Sequence, residues 1–382
     1  MACYKEEIEA NLRTPSYSGY ELLDLHDYLG QGGALIGVLD AFWEQKSYAS
    51  PEEYRQFNNE TVPLARLKDR VFTTADTLNA DVEVAHYGQT PIASAACGWR
   101  IVGPAGKVVA SGSWAAREIP RGKNIPLGKV SADLSKLNAP AQYKLTVEVR
   151  GTKVFRNEWN FWVYPAAVKA EASGEVLVTS SWPDAEAKLA QGGKVLFLPS
   201  AADLDALDPK LSTVPIFWNH LMNPNGTTFL GLWNNTKHPA LAGFPTESNC
   251  DWQWIDILGS ARAVNMDTLP RTLEPIVQSI DDWNRNYKLG LLFECAVGNG
   301  KLMVCSIDLD SKRPGAPCLR RSVLEYMGSA QFRPVATVPV SDMRKQWASL
   351  NPNRVEPGAV KSAEPTSPDL VDPGQIRRRP GA

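Results

Sequence analysis

The chain lacks an excess of charge of either sign. It carries 40 basic and 42 acidic residues in 382, a formal net charge of −2. Bulk electrostatics therefore point to neither a nucleic acid nor an anionic membrane surface as partner. No apolar run is long enough to span a bilayer. The opening Met1-Ala2-Cys3-Tyr4-Lys5-Glu6-Glu7 has no apolar stretch of the signal-peptide kind. Read as it stands, the chain is expected to stay in the cytoplasm. Histidine is scarce: His26, His86, His220 and His238 are too dispersed for a metal cluster. The six cysteines (Cys3, Cys97, Cys250, Cys295, Cys305, Cys318) form no C-x-x-C pair, which argues against a zinc site. Cys295 and Cys305 flank a turn and are candidates to approach each other, but buried free thiols are the preferred reading. There is no Gly-Lys-Ser/Thr, so Gly30-Gln31-Gly32-Gly33 is not a nucleotide P-loop and reads as a tight turn. No Gly-x-nucleophile-x-Gly elbow is present either. No cofactor is implied.

What is present divides the chain into four parts. Hydrophobic residues make up 43% and charged residues 21%, an ordinary globular composition, and the length suits two to three domains. In residues 1–65, a helix over Tyr4–Leu12 precedes an apolar stretch, Tyr20 to Leu29. That stretch reads as one strand stopping in a Gly-rich loop before a helix over Ala34–Phe42. A lone parallel strand satisfies neither its backbone nor its two faces, so this piece is expected to dock on a sheet elsewhere or to belong to a larger unit. Ser50-Pro51-Glu52-Glu53 is a helix start: a capping serine, proline at the first helical position and acids at the positive end.

Over residues 66–166 the period becomes two. Tyr143, Leu145, Val147 and Val149 alternate with polar residues, Cys97, Trp99 and Ile101 share one face, and Trp159, Phe161 and Val163 close the set. About seven short strands predict an immunoglobulin-like β-sandwich. Over 173–335 the pattern is α/β. Val176–Val178, a helix over Pro183–Ala190 and Val195–Leu198 make a parallel crossover. Two apolar runs flanking Gly298-Asn299-Gly300 make a hairpin, and a helix over Pro317–Met327 follows. This predicts a flavodoxin-like or amidotransferase-like domain. Residues 336–382 lose the core pattern and read as a disordered tail rich in Pro, Gly, Ser and charge.

Tyr20-Glu21-Leu22-Leu23-Asp24-Leu25-His26-Asp27, Gly30-Gln31-Gly32 and Val38-Leu39-Asp40-Ala41-Phe42-Trp43 resemble the last strand and helix of a glycoside hydrolase (β/α)8 barrel, with family 2, the β-galactosidase-like enzymes, the nearest match. The order that follows is similar too: a sandwich, then an α/β domain with Asn249-Cys250-Asp251-Trp252-Gln253-Trp254-Ile255-Asp256 and Gly298-Asn299-Gly300-Lys301. The resemblance implies a retaining, two-glutamate mechanism, with carboxyls about 5 Å apart, on the β-glycosidic bonds of a poly- or oligosaccharide. Those glutamates come from the fourth and seventh barrel strands, and neither maps onto this sequence. Glu21 sits at the wrong strand end, and Glu6, Glu7 and Glu9 lie on an amphipathic helix. The expectation is a C-terminal portion of such an enzyme, itself without the catalytic pair. Its expected partners are carbohydrate and the catalytic part or another subunit. The parent enzymes are commonly periplasmic or secreted. The substrate contacts implied are His26, Asp27, Gln31 and, more weakly, Asp24.

Trp218, Trp233, Trp252 and Trp254 cluster with amides and carboxylates. They present either an accessory sugar or interface surface, because flat rings stack on sugar C–H faces, or simply core packing. If extended, Trp252 and Trp254 share one face. Two alternatives stand beside the glycosidase reading. One is a self-sufficient carbohydrate-binding or protein-interaction module, in which Leu22, Leu23 and Leu25 are buried. The other is an amidotransferase-like enzyme, which requires a histidine within hydrogen-bond reach of Cys250.

Overall fold

The computed structural model describes residues 1–30, 36–169, 174–204, 229–259, 261–281 and 286–348. They form three open sheets with a few helices, and no sheet among them closes into a barrel.

Helix α1 (Ala2–Arg13) and helix α2 (Pro51–Phe57) bracket an irregular segment. The cap of α2 is as expected: Ser50 accepts from the Glu53 amide while the Glu53 carboxylate accepts from the Ser50 amide. The strand and helix expected between them are not seen. Residues 20–30 carry an isolated parallel bridge, His26 to Leu39, and Asp24 takes a left-handed φ of 61° that ends any extension. The expected helix fails for a local reason. The Asp40 carboxylate accepts from the amides of Phe42 and Glu44, and Trp43 has φ 67°, so Asp40–Glu44 is an Asx-type turn. Leu23 is 83% exposed and Leu25 37%, so the burial expected of a self-sufficient module is not found there.

Eight strands follow: β1 (Thr61–Leu67), β2 (Val71–Thr73), β3 (Thr77–His86), β4 (Ile92–Val102), β5 (Val108–Ile119), β6 (Gly122–Asp133), β7 (Ala141–Arg150) and β8 (Val154–Tyr164). They make a three-stranded sheet, β1-β3-β6, and a five-stranded sheet, β2-β8-β7-β4-β5. The inward residues of both sheets enclose one core: Leu78, Val82 and Val130 from the first, Ile101, Leu145, Val147, Trp159 and Phe161 from the second. The sheets begin at Thr61, five residues before the expected boundary, because β1 pairs with β3 from Thr61 onward. Pro63 is tolerated there because β1 is an edge strand.

The third sheet contains β9 (Val176–Thr179), β10 (Lys194–Phe197), β11 (Phe229–Asn234), β12 (Val264–Asn265), β13 (Pro275–Asp281), β14 (Lys288–Val297), β15 (Gly300–Cys305) and β16 (Thr337–Val338). Its main path is β11-β13-β14-β15-β10-β9. β9, β10 and β15 are parallel, and α3 (Trp182–Ala190), capped by Ser181, makes the crossover from β9 to β10. α4 (Ala201–Leu204), α5 (Trp252–Leu258), α6 (Gly315–Gly328) and α7 (Val340–Trp347) complete the helices. Alternation sorts the sheet into two buried faces. Leu196, Met303 and Cys305 face one core with α5 and α6. Val195, Phe197, Leu302 and Val304 face the other with α3 and α7.

Order therefore runs past residue 335. β16 pairs with the end of β14, and α7 inserts Met343 and Trp347 against Trp182 and Phe197. The tail expectation fails over 336–348; its remainder lies outside the described residues. Strand β8 joins the two β-rich parts. Trp159, Phe161 and Val163 point into the sandwich core, while Trp162 and Tyr164 enter the core shared with α5 and α6, where Tyr164 stacks on Phe244 at 5.9 Å.

Candidate functional site

The residues expected to touch sugar lie on the irregular segment after α1. Backbone bonds from Asp27 N to Leu39 O and from Leu39 N to Leu25 O join the two limbs of that segment. Asp27 fixes the join: its Oδ1 accepts from the Gly37 amide at 3.1 Å and from Lys46 Nζ at 2.6 Å. Gly37 is obligatory at this crossing, since a Cβ would meet the His26 backbone at 2.4 Å. The His26 ring lies 4.4 Å from the Trp43 ring, tilted by 39°, and its Nδ1 is 2.7 Å from the Asp27 carbonyl oxygen. Trp43 is 62% exposed and Phe42 82%. His26, Asp27 and Trp43 thus form a rim of aromatic faces beside a held carboxylate. Asp24 is brought near only through its backbone, whose carbonyl accepts from Tyr4 Oη at 3.3 Å. Gln31 lies outside the described residues.

The four tryptophans of the α/β part do not form one surface. Trp218 lies outside the described residues. Trp252 and Trp254 lie on α5, not on a strand, so strand parity does not apply. Trp254 is fully buried, and its Nε1 donates to Thr246 Oγ1 at 2.7 Å. Trp252 opens the helix, partly exposed, with the Arg70 guanidinium 5.3 Å from its ring. Trp233, on β11, is exposed and bridges to Asn249, while buried Asn234 donates to the carbonyls of Glu247 and Asn249.

Cys250 does not have the surroundings of a nucleophile. Burial, then the neighbouring Asp251 and Cys3, push its thiol up to about 12. Its Sγ contact is with the Asp251 carbonyl at 3.9 Å. The His238 ring instead faces Tyr326 at 5.0 Å, with its Nε2 3.8 Å from Glu294 Oε1. His220 lies outside the described residues. The described residues contain no group of three or more His, Cys, Asp or Glu suited to a metal ion, and no described helix is long and apolar enough to cross a membrane.

Two arrangements escaped sequence reasoning. Glu9, placed on an amphipathic face by its spacing, is fully buried. It takes Lys5 and Arg13 from its own helix, Asn157 Nδ2 at 2.7 Å and Trp159 Nε1 at 2.8 Å from β8. Helical spacing of Lys5, Glu9 and Arg13 was the available signal. The other is the His238–Glu294–Tyr326 group, in which Tyr326 Oη donates to Glu294 Oε1 at 3.0 Å and burial raises the phenol well above its ordinary range. Its members come from three distant stretches, and no local signal links them.

Comparison with known proteins adds little to this geometry. Residues 177–348 match a family described as a domain of unknown function (DUF8487), and residues 76–165 match another described in the same words (DUF8488). No curated protein matches the chain. Solved structures similar to parts of it include a β-glucuronidase from Parabacteroides merdae, at 14% identity and TM-score 0.22, covering 36% of this chain and 21% of that one. A family 123 glycoside hydrolase from Clostridium perfringens has 10% identity and TM-score 0.22, with 31% and 30% covered. Red sea bream transglutaminase has 10% identity and TM-score 0.24, with 36% and 22% covered. This chain matches less than a third of each, and at these TM-scores the likenesses establish neither fold nor activity.

Proposed function

We propose that this chain is a noncatalytic, carbohydrate-contacting portion of a glycoside hydrolase acting on β-glycosidic bonds. In this reading the two-sheet unit is an immunoglobulin-like sandwich, the α/β unit is a flavodoxin-like support, and the segment between α1 and α2 is the working rim. The observation that carries the proposal is the exposed Trp43 ring packed on His26 beside the held Asp27. An aromatic face left in water gains by covering the C–H face of a pyranose. Asp27 Oδ2, which has no partner among the described residues, would accept from a sugar hydroxyl in this reading. Asp24 belongs to the same rim, and Gln31, outside the described residues, is assigned to it from the sequence alone. Leu23, Leu29 and Phe42, strongly exposed apolar residues of the same segment, suit contact with a catalytic domain.

The rim supplies binding groups without an acid and a nucleophile, and binding alone does not lower a glycosidic barrier. Titration with neutral β-linked oligosaccharides, followed by tryptophan fluorescence, tests the proposal. Saturable binding that Trp43→Ala weakens by about tenfold or more supports it. Binding unchanged by Trp43→Ala, or no binding across such a panel, would sink it.

A further inference from the structure

A second candidate site is lined by residues other than His26, Asp27 and Trp43. A cleft of about 270 Å³ opens between the end of α1, the loop Tyr17–Tyr20, the end of α2 and the turn after β3. Its floor is apolar: Leu12 and Phe57 are 9% and 2% exposed. Three tyrosines stand around it in water, Tyr17 at 55%, Tyr20 at 38% and Tyr87 at 49% exposure. The Tyr20 hydroxyl is occupied, donating to Asn58 Oδ1 at 2.7 Å. The hydroxyls of Tyr17 and Tyr87 have no partner among the described residues. Asn11 holds the loop by donating to the Gly19 carbonyl at 3.0 Å.

One charge enters the cleft, that of Lys123. Its ammonium has three N–H donors. Two are used, on the carbonyls of Thr14, at 2.6 Å, and Tyr17. No carboxylate pairs with it among the described residues, and no Asp or Glu lines the cleft. A half-buried cation whose solvation has been replaced by two carbonyls, with a donor to spare, favours an anion. An apolar floor, flat phenol rings, free hydroxyls and one fixed cation suit a ring with C–H faces, hydroxyls and a single negative group.

We infer that this cleft binds an acidic sugar, a uronic-acid residue of a glycan. Its carboxylate meets Lys123, and its ring lies over Phe57 between Tyr17 and Tyr87. The inference rests on the carbohydrate reading above but uses none of the residues His26, Asp27 and Trp43 that carry it. The cleft recognises and does not react, so no bond is made or broken there.

The test uses the full chain and two probes: a β-linked disaccharide containing glucuronic acid, and the same disaccharide with its carboxyl reduced to the alcohol. Saturation-transfer NMR should show the acidic probe binding about tenfold or more tightly than the neutral one, with the difference shrinking in high salt. Tyr17→Ala and Tyr87→Ala, both at exposed positions, should each weaken the acidic probe by about tenfold with the thermal midpoint kept. Trp43→Ala should leave the salt-sensitive preference for the acidic probe over the neutral one in place. Equal binding of both probes, no binding of the acidic one, or acidic binding untouched by both tyrosine variants overturns the cleft. If acidic binding is instead lost in Trp43→Ala and kept in Tyr87→Ala, the cleft fails and the rim stands.

Discussion

Glu9 is the most deeply buried acidic residue described. Its carboxylate is buried with two cations of its own helix, an amide and an indole, and so ties α1 to β8. Removing one member of a buried charge group strands the rest. Glu9→Ala should lower unfolding free energy by about 3 kcal/mol, read from urea denaturation, because Lys5 and Arg13 keep some access to water. Glu9→Gln should cost less, since the amide oxygen still accepts from Trp159. A cost below about 0.5 kcal/mol for Glu9→Ala would mean that the network does not hold α1. The cysteines make a second residue-scale prediction. Cys3 is exposed, whereas burial pushes Cys295 and Cys305 up to about 12 and Cys318 up to about 11. At pH 8, iodoacetamide should modify Cys3 first, with Cys250 and the buried thiols following only after denaturant, as mass spectrometry would show. Fast labelling of Cys250 in the native chain would contradict its place in the structure.

At the scale of elements, much was legible because local rules and tertiary context agree. The alternation of Tyr143 to Val149 became β7, Ser50-Pro51-Glu52-Glu53 became a complete capping box, and Gly298, at φ 57°, turns the β14–β15 hairpin. Ser50→Ala should cost about 1 kcal/mol and loosen α2, visible as faster amide exchange at Glu53. Three readings went astray for identifiable reasons. Apolar residues from Tyr20 to Leu29 suggested a strand, but a strand needs a neighbour along its length, and Asp24 and the Asp40 turn divert the chain first. Asn249-Cys250-Asp251 held a cap signal that competes with strand parity, and Asp251 does cap α5. Helix α7 was hidden because only Val340, Met343 and Trp347 of its short span pack on the core. Trp347→Ala should cost about 3–5 kcal/mol, since it opens a cavity between Trp182 and Phe197. A loss under about 1 kcal/mol would show that α7 is not part of that core.

At the scale of the whole molecule, the α/β part and the two-sheet unit share strand β8, and Glu9 ties α1 to the same strand through Asn157 and Trp159. The exposed aromatic segment is tied to α1 through Tyr4, whose hydroxyl reaches the Asp24 and Ile36 carbonyls. The rim's geometry was only half legible. The stretch Leu25-His26-Asp27 marked the place, yet the partner that completes it, Trp43, arrives through a turn set by Asp40 and a crossing that only Gly37 permits. The cleft beside α1 was not legible at all, since Tyr17, Phe57, Tyr87 and Lys123 are brought together by packing and not by spacing.

The most direct test of the central claim follows one neutral β-linked oligosaccharide by NMR in the presence of the full chain. The account predicts line broadening that Trp43→Ala abolishes, with the sugar recovered uncleaved after prolonged incubation. Cleavage of the glycosidic bond by this chain alone, or a spectrum unchanged by the protein, would contradict it.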